Sequence, residues 1–503
     1  MYTAFYRFRK PILALGVFAV CVLGAAVCPA QEPALPAGME TDKEQSSGAG
    51  PALPSGLGDK TENPASEAPG LPSGLGGGPE AAKQPPSDKT RKWQMPEEIN
   101  GYVEARGGLR IHDDPVHDDV SLAETRLQLS YDKAVSAYIP RGRFRTTADL
   151  LFDATVSDHD NADLEEGTGF LDLREFWLSF TPVDFVDIRA GRQILTWGTG
   201  NLVFLNDLFP KDYQSFFLGR DLEYLKAPAD AVKASIYGNV ANVDIVYTPR
   251  FDSDRFPDGS RLSFYDPSIG GWRGEDNPMD TRRPDDWFAD EEVAVRVYRN
   301  IGAYELAAYG YHGFWKGPSG TDPATGERIF PELDVLGASL RGMLGPGIAN
   351  TEFAWYHSEE DEDGSDPFVE NSQMRYLVGY EQEVATDRTL GVQYYVEYML
   401  DYDAYEDSLA IFPPDFPKKD RARQWLTLDL TQELMAQNQL RLSLFTFYSL
   451  SANEFYFRPK AAYDYTDNWK FQAGANIFMG ERTDFFGRFE ESSNVYAAVR
   501  YGF

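Results

Sequence analysis

The sequence predicts an all-β protein, specifically a transmembrane antiparallel β-barrel of about 16–18 strands that occupies residues 96–503. Three observations support this fold class. Apolar and polar residues alternate with a period of two from about residue 98 onward, short and long connections alternate between the strands, and aromatic residues make up 14% of the chain. Aromatic residues favour strands, and after the N-terminal segment no run approaches the ~18 apolar residues that a transmembrane helix requires.

The first 95 residues are predicted to lie outside the barrel. Residues 1–30 have the features of a secretory signal peptide, because basic residues precede the apolar run PILALGVFAVCVLGAAV and Ala30 offers a cleavage site. An uncleaved anchor helix is the alternative. Residues 31–95 form a Pro/Gly-rich linker that cannot bury enough apolar surface to offset its ordering entropy. We therefore expect a disordered periplasmic linker.

Charge and cysteine content exclude several classes of function. The chain of 503 residues carries a formal net charge of −32, whereas nucleic-acid-binding surfaces require basic stripes. Both cysteines, Cys21 and Cys28, lie in the predicted signal. The mature chain is therefore expected to have no disulfide, no thiol nucleophile and no Cys-ligated metal. Neither a nucleic-acid partner nor a cofactor is predicted.

The spacing of the turns distinguishes a membrane barrel from a water-soluble sandwich. Segments such as EFYFRPKAAYDY and NVYAAVRYGF alternate in polarity, and a sandwich would alternate in the same way. However, tight connections such as TPVD, GNVAN and TDNW alternate with long ones such as 158–168, 198–228 and 250–290. Short periplasmic turns opposite long outer loops are typical of an outer-membrane barrel.

The last strand agrees with a barrel in the cell outer membrane. It closes on Phe503, which is similar to the signal that outer-membrane assembly machinery recognises. The expected partners are this machinery, outer-membrane lipid, lipopolysaccharide and small hydrophilic solutes. A homo-oligomer is left open, because lipid and a subunit interface select the same apolar outward residues.

The third long loop, residues 198–228, is predicted to fold into the lumen. It contains the stretch GNLVFLNDLFPKDY, whose apolar surface is too large for an exposed loop, and the barrel wall could cover that surface. Its phenylalanines are expected to pack on the wall, and its charged side chains to face the channel. The predicted constriction residues are Phe204, Asp207, Phe209, Lys211, Asp212 and Arg220. An outside flap packed on neighbouring loops is the alternative.

The segment before this loop, LREFWLSFTPVDFVDIRAGRQILTWG, resembles a known family. It is similar to the Leu-Arg-Glu-aromatic strand and the following Gly-Arg-Gln…Trp-Gly strand of a Gram-negative outer-membrane porin-like family, and more distantly to alginate-export-type barrels. The matching positions are Arg174, Glu175, Arg192, Gln193 and Trp197. The resemblance implies passive or facilitated diffusion and names no substrate. A bulge at Gly191 is expected to turn Arg192 toward the lumen.

Strand parity predicts which charged residues line the lumen. If apolar residues face lipid, residues of opposite parity line the channel, and they form two walls of opposite charge. The basic wall consists of Arg106, Arg126, Arg145, Arg441, Arg458, Lys460, Lys470 and Arg500. The acidic wall consists of Glu352, Glu381, Glu383, Glu397 and Asp429. At ~18 strands the interior is too wide for paired side chains to fill, so a water-filled lumen is expected.

The sequence therefore predicts a porin-like channel for passive or facilitated diffusion of small hydrophilic solutes, narrowed by the third loop. A surface, adhesion or scaffold barrel that engages partner proteins through its acidic loops is the alternative. No enzyme, catalytic residue or metal site is predicted, because the five histidines fall in loops or near the rim and none is paired with a serine nucleophile. His112 and His117 lie among aspartates, but a polar hairpin tip needs no catalytic reason.

Overall fold

Eighteen long strands follow one another along the chain in a computed structural model that describes residues 96–156, 161–413, 416–435, 437 and 439–503. The predicted signal, residues 1–30, and the predicted linker, residues 31–95, lie outside the described residues. The strands are β1 Ile99–Arg110, β2 Val120–Ala134, β3 Arg143–Asp153, β4 Leu171–Val183, β5 Val186–Ile194, β6 Pro228–Ile236, β7 Asn242–Thr248, β8 Glu292–Ile301, β9 Tyr304–Phe314, β10 Glu332–Leu344, β11 Gly347–Ser358, β12 Gln373–Ala385, β13 Arg388–Met399, β14 Ala422–Leu434, β15 Leu440–Ser449, β16 Phe455–Asp464, β17 Trp469–Met479 and β18 Asn494–Gly502.

These strands close into a barrel. Each pairs with the next in antiparallel register, and β1 pairs with both β2 and β18. The closing seam joins Tyr102 to Gly502 and Arg110 to Asn494. None of the eighteen described strands is left as an edge, so each can pair its backbone groups on both sides. The predicted fold class and strand number are confirmed.

The loops at one end of the barrel are long, apart from L8, and the other end has turns of two to eight residues. The loops are L1 111–119, L2 154–170, L3 195–227, L4 249–291, L5 315–331, L6 359–372, L7 400–421, L8 450–454 and L9 480–493. The turns are 135–142, 184–185, 237–241, 302–303, 345–346, 386–387, 435–439 and 465–468. L3 contains helix α1, Tyr213–Phe217, and a 3-10 turn, Leu222–Leu225, whereas L7 contains helix α2, Tyr402–Ser408, and a 3-10 turn, Leu409–Ile411. L9 contains a 3-10 turn, Gly487–Ser492.

Helices contribute little to this fold. Across the part of the chain that the structure describes, no helix is long and apolar enough to cross a membrane.

The outward face of the barrel is apolar. Side chains such as Val103, Leu150, Leu306, Val378 and Val495 alternate with inward residues and remain exposed. Exposed aromatic residues cluster near both ends of the strands. Near the turns these are Phe185, Tyr237, Tyr304, Tyr465, Trp469 and Tyr501, and near the loops Phe152, Trp287, Phe288, Tyr398 and Phe455. An apolar band between two aromatic girdles on a closed barrel is the surface of an outer-membrane protein. The protein is therefore an outer-membrane β-barrel.

The hydrophobic core lies on the inward face of the sheet. Loop residues Leu205, Phe216 and Phe217 belong to one buried cluster with Tyr356 and Tyr456, which face inward from β11 and β16. These apolar residues of L3 are thus covered by the barrel wall together with residues of L4 and L9.

The strand register differs from the sequence prediction at one place. Thr147 on β3 pairs with Glu175, whereas Ala148 pairs with Leu173, so Arg174 is the extra residue of a bulge in β4. The register through Gly191 is regular. The predicted bulge at Gly191 is therefore wrong, because the extra residue sits on the neighbouring strand.

The alternation along β5 therefore places Arg192 on the outward side of the sheet, where its cross-strand partners are Phe176 on β4 and Asp230 on β6. Its guanidinium stays buried because it donates to the backbone carbonyl of Leu173 at 2.6 Å and to the Asp230 carboxylate at 3.0 Å. Gly191 has a φ of +117°, and a Cβ there would lie 2.3 Å from the carbonyl oxygen of Phe176. Glycine is required at this position for backbone reasons.

Candidate functional site

L3 hydrogen-bonds to inward-facing residues on widely separated strands. It leaves the barrel at β5 and returns at β6, yet its first half contacts β11, β13 and β14, and its second half contacts β1, β2 and β16 to β18. In the circular strand order these two groups of strands are separated from each other and from β5 and β6.

The first half of L3 is held by acceptors on β11, β13 and β14. The Glu352 carboxylate accepts from the backbone N–H of Thr199, from that of Gly200 at 2.9 Å, and from the Asn206 amide at 2.8 Å. Asn201 donates its backbone N–H to Gln393 at 2.7 Å and its side-chain amide to Asp429. Two members of the predicted acidic wall, Glu352 and Asp429, therefore bind the loop.

Asp221 is the main anchor of the second half of L3. Its carboxylate accepts from Lys460 at 2.6 Å, Arg500 at 2.7 Å and Gln472 at 3.1 Å, and lies 3.6 Å from Arg106. Although burial opposes ionisation, these cations together hold the pKa of Asp221 well below its usual range. Three residues of the predicted basic wall thus converge on one loop carboxylate.

Tyr224 lies between two arginines. The guanidinium of Arg126 lies 4.1 Å from its ring centroid and that of Arg174 lies 4.5 Å away, in cation–π contact. The Tyr224 hydroxyl hydrogen-bonds to the hydroxyl of Tyr102 on β1. Arg174 also donates to the carbonyls of Glu223 at 2.9 Å and Lys226 at 3.0 Å. The bulge residue of β4 therefore holds the end of L3.

Helix α1 anchors the middle of L3 through aromatic packing. Asp212 caps the helix by accepting from the backbone N–H of Ser215 at 2.6 Å. The ring of Phe217 lies 5.5 Å from that of Tyr456 and 5.1 Å from that of Phe478, both in edge-on geometry. These rings face inward from β16 and β17, and their burial fixes the helix against the wall.

Three predicted constriction residues do not face a channel. Asp207, Lys211 and Asp212 are buried, with 2–5% of each residue exposed. Lys211 donates to the Asp207 carboxylate at 3.0 Å, and Arg255 of L4 lies 3.4 Å from the Asp212 carboxylate. The prediction that these charges face water is wrong, because L4 covers this side of L3.

The other three constriction residues differ in exposure. Phe209 is buried, whereas Phe204 is half-buried. The ammonium nitrogen of Lys211 lies over the ring of Phe204, 4.7 Å from its centroid. Arg220 is half-buried and donates to the Glu124 carboxylate at 2.5 Å. Arg220 is thus the predicted loop cation that retains access to water.

L4 carries two acidic groups with raised pKa values beside L3. Asp254 accepts from the backbone N–H of Lys211 at 2.7 Å, and burial raises its pKa to about 6. Asp252 accepts from the backbone N–H of Asp230 at 2.9 Å, and burial likewise raises its pKa to about 6. Asp254 therefore lies at the contact between L3 and L4, and Asp252 at the neighbouring contact between L4 and β6; both carboxyl groups take up a proton at a higher pH than an ordinary aspartate.

The register puts all eight residues of the predicted basic wall on the inward face. Arg458 donates to the carbonyl of Arg220 at 3.0 Å, and so joins Arg106, Lys460 and Arg500 against L3. The remaining ones pair with wall carboxylates: Arg126 with Glu124 and Asp149, Arg145 with Glu175, Arg441 with Glu433, and Lys470 with Asp464.

The predicted acidic wall also lies on the inward face, but it is not purely acidic. Glu397 is held between Arg375, at 3.7 Å, and Arg423. Glu381 and Glu383 are exposed. The expectation of two walls of opposite charge is therefore corrected: both walls contain paired charges, because adjacent strands place Arg375 and Arg423 directly opposite Glu397.

Two adjoining cavities lie at the loop end of the barrel. A cavity of about 970 Å³ between L1 and L4 is lined by basic and acidic side chains, including Arg110, Asp114 and Arg261. A second cavity of about 270 Å³ shares Arg261 with the first and extends to Glu124 and Arg220. The second cavity also reaches L3, because Gln214 and Leu218 contribute to its lining.

Comparisons with known proteins give structural likenesses only. No protein family matches the sequence, and no curated protein matches it. The solved structures that it resembles are named as porins and an outer-membrane channel. An engineered triple mutant of the Rhodopseudomonas blastica porin is 10% identical with a TM-score of 0.36, over 80% of this chain and 99% of that one. Another variant of that porin is 11% identical with a TM-score of 0.38, over 80% and 99% of the two chains. The outer-membrane channel DcaP of Acinetobacter baumannii is 10% identical with a TM-score of 0.38, over 80% and 96%.

Proposed function

We propose that the protein is a porin-like channel for diffusion of small hydrophilic solutes, with a lumen that L3 narrows. The observation that carries this proposal is the set of hydrogen bonds that joins L3 to inward residues on opposite sides of the barrel, through Glu352 on one side and Asp221 on the other. A loop tied in this way reduces the cross-section open to solutes, and wide barrels otherwise leave an aqueous channel.

The route to L3 supports the choice of hydrophilic solutes. The two cavities above L3 are lined by charged and hydroxyl side chains, among them Arg110, Arg261, Ser260 and Arg220. Because cations and carboxylates share this lining, its fixed charges favour water and polar solutes and exclude apolar ones. The proposal includes the predicted domain order, with a signal at 1–30 and a periplasmic linker at 31–95 ahead of the barrel.

Single-channel recording of the mature chain in a planar bilayer tests the proposal. Deletion of residues 200–226 is expected to increase the conductance, because it removes the segment that crosses the lumen. A matched control deletes residues 323–326, the exposed tip of L5, and is expected to conduct like the wild type. The point variant Glu352→Gln provides a milder change, since it weakens the L3 anchor without shortening the chain.

A folded barrel that conducts no ions in the wild-type, deletion and Glu352→Gln forms would contradict the channel. The alternative, a surface or scaffold barrel that binds partner proteins through its acidic loops, would then be favoured. Circular dichroism in the strand region separates this result from misfolding.

A further inference from the structure

Two histidines that are far apart in the sequence lie together at the outer rim of the barrel. His312 on β9, Asp334 on β10 and His357 on β11 are direct cross-strand partners, so they form one row across three strands. The row shares its parity with Leu306 and Leu340, which are exposed on the outward face. It lies at the end of the strands where L5 and L6 begin.

Carboxylates from L6 extend this row. One ligand atom from each of His357, Glu359 and Glu362 lies within 4.8 Å of the other two. The Nε2 of His357 lies 3.9 Å from the Glu359 carboxylate, and the Nδ1 of His312 lies 2.7 Å from Asp334. From these contacts we propose that His357, Glu359 and Glu362 bind a divalent transition-metal ion, with Zn²⁺ as the ion that fits best.

The environment of His357 orients its imidazole for this role. Ser372 Oγ accepts the backbone N–H of Ser358 at 3.0 Å and lies 3.4 Å from Nδ1 of His357. When Nδ1 carries the proton and donates to Ser372, the lone pair of Nε2 points toward the glutamates. The ring also stacks on Trp355, with centroids 5.3 Å apart. A second nitrogen held by a neighbouring polar group is the usual arrangement of metal-binding histidines.

The donor atoms favour a transition-metal ion over Ca²⁺ or Mg²⁺. Imidazole nitrogen suits Zn²⁺, whereas Ca²⁺ and Mg²⁺ prefer oxygen ligands alone. Three protein ligands leave a fourth position of a tetrahedral zinc ion for water or another ligand. Tetrahedral ligands at about 2.1 Å from the ion lie about 3.5 Å apart, and the Glu359 carboxylate already lies 3.9 Å from Nε2 of His357.

Zinc titration of the refolded mature chain, which lacks Cys21 and Cys28, in detergent micelles, followed by calorimetry, tests the site. We expect saturable binding that His357→Gln weakens by at least tenfold and that Ser372→Ala weakens by about 10–100-fold. The matched control is His112→Gln, which removes an exposed histidine of L1 and is expected to leave this binding unchanged.

The same titration with Ca²⁺ distinguishes a zinc site from a diffuse acidic rim. Equal affinity for both ions, or zinc binding that is the same in His357→Gln and His112→Gln, would overturn the proposal. Glu362→Gln removes a proposed ligand from an exposed loop and should also weaken zinc binding. It therefore tests the site even if a variant in a strand does not refold. Ion binding here is independent of conductance, and its outcome does not depend on the proposed channel.

Discussion

The substitution Asp221→Asn is the sharpest test of the proposal that L3 is held inside the barrel and narrows the lumen. It removes the charge on which Lys460, Arg500 and Arg106 converge. The side chains of Asp221, Lys460 and Arg500 are 11%, 18% and 15% exposed, so the network is mostly buried. Removing one partner from a buried ion pair costs about 3–5 kcal/mol, and we take the lower end because these groups retain some solvent contact.

A loss of about 3 kcal/mol corresponds to an increase of roughly 100-fold in the population of channels whose L3 has detached. In single-channel recordings, Asp221→Asn should therefore show frequent transitions to a larger conductance that are rare in the wild type. The variant also leaves three cations with less neutralising charge. The reversal potential in a salt gradient should accordingly shift toward anion selectivity.

Asp464→Asn is the matched control, because Asp464 pairs with Lys470 at 3.4 Å and its side chain is 55% exposed. Exposed pairs of this kind contribute about 0–1 kcal/mol, so this variant should conduct like the wild type. If Asp221→Asn and Asp464→Asn give the same conductance distribution and reversal potential, the reasoning from the Asp221 network is refuted.

Three further outcomes are expected. Gly191→Ala should lower the free energy of unfolding by about 1–3 kcal/mol, and with it the denaturant midpoint, because φ is +117° there and the new Cβ meets the Phe176 carbonyl. An unchanged midpoint would contradict this. Phe217→Ala should expose L3 to limited proteolysis, since loss of a buried aromatic ring costs about 3–5 kcal/mol; cleavage at the wild-type rate would speak against the packing described. The pKa of Asp254 is raised from its ordinary 3.8 to about 6, so its stabilising effect is complete below pH 3.8 and is lost as the pH rises through about 6. Conductance fluctuations should therefore increase from about pH 4 to about pH 7, and Asp254→Asn should remove this dependence.

Local chemistry is enough to predict much of this protein. A period of two, aromatic strand ends and alternating turn lengths depend on neighbours in the sequence, and they predict the barrel, its strand number and the inward parity of residues such as Arg458 and Glu352. The side of the sheet that a residue faces follows from the alternation of side chains along its own strand. The predicted bulge at Gly191 is wrong because a slip in the alternation indicates an extra residue nearby but does not show which strand carries it; here it is Arg174 on β4.

The partners of the charged residues follow from contacts between distant segments. Asp221 lies next to the predicted Arg220 in sequence, but nothing local indicates that Lys460 and Arg500 converge on it. Likewise, Lys211 and Asp212 are buried where L4 packs over them. The sequence by itself determined that a barrel forms and which side chains face its interior, since these depend on alternation along each strand. Only the closed fold determined which charged side chains pair with one another. The docking of L3 brings together residues that are hundreds of positions apart in the sequence, and the energy of each pair depends on how deeply it is buried.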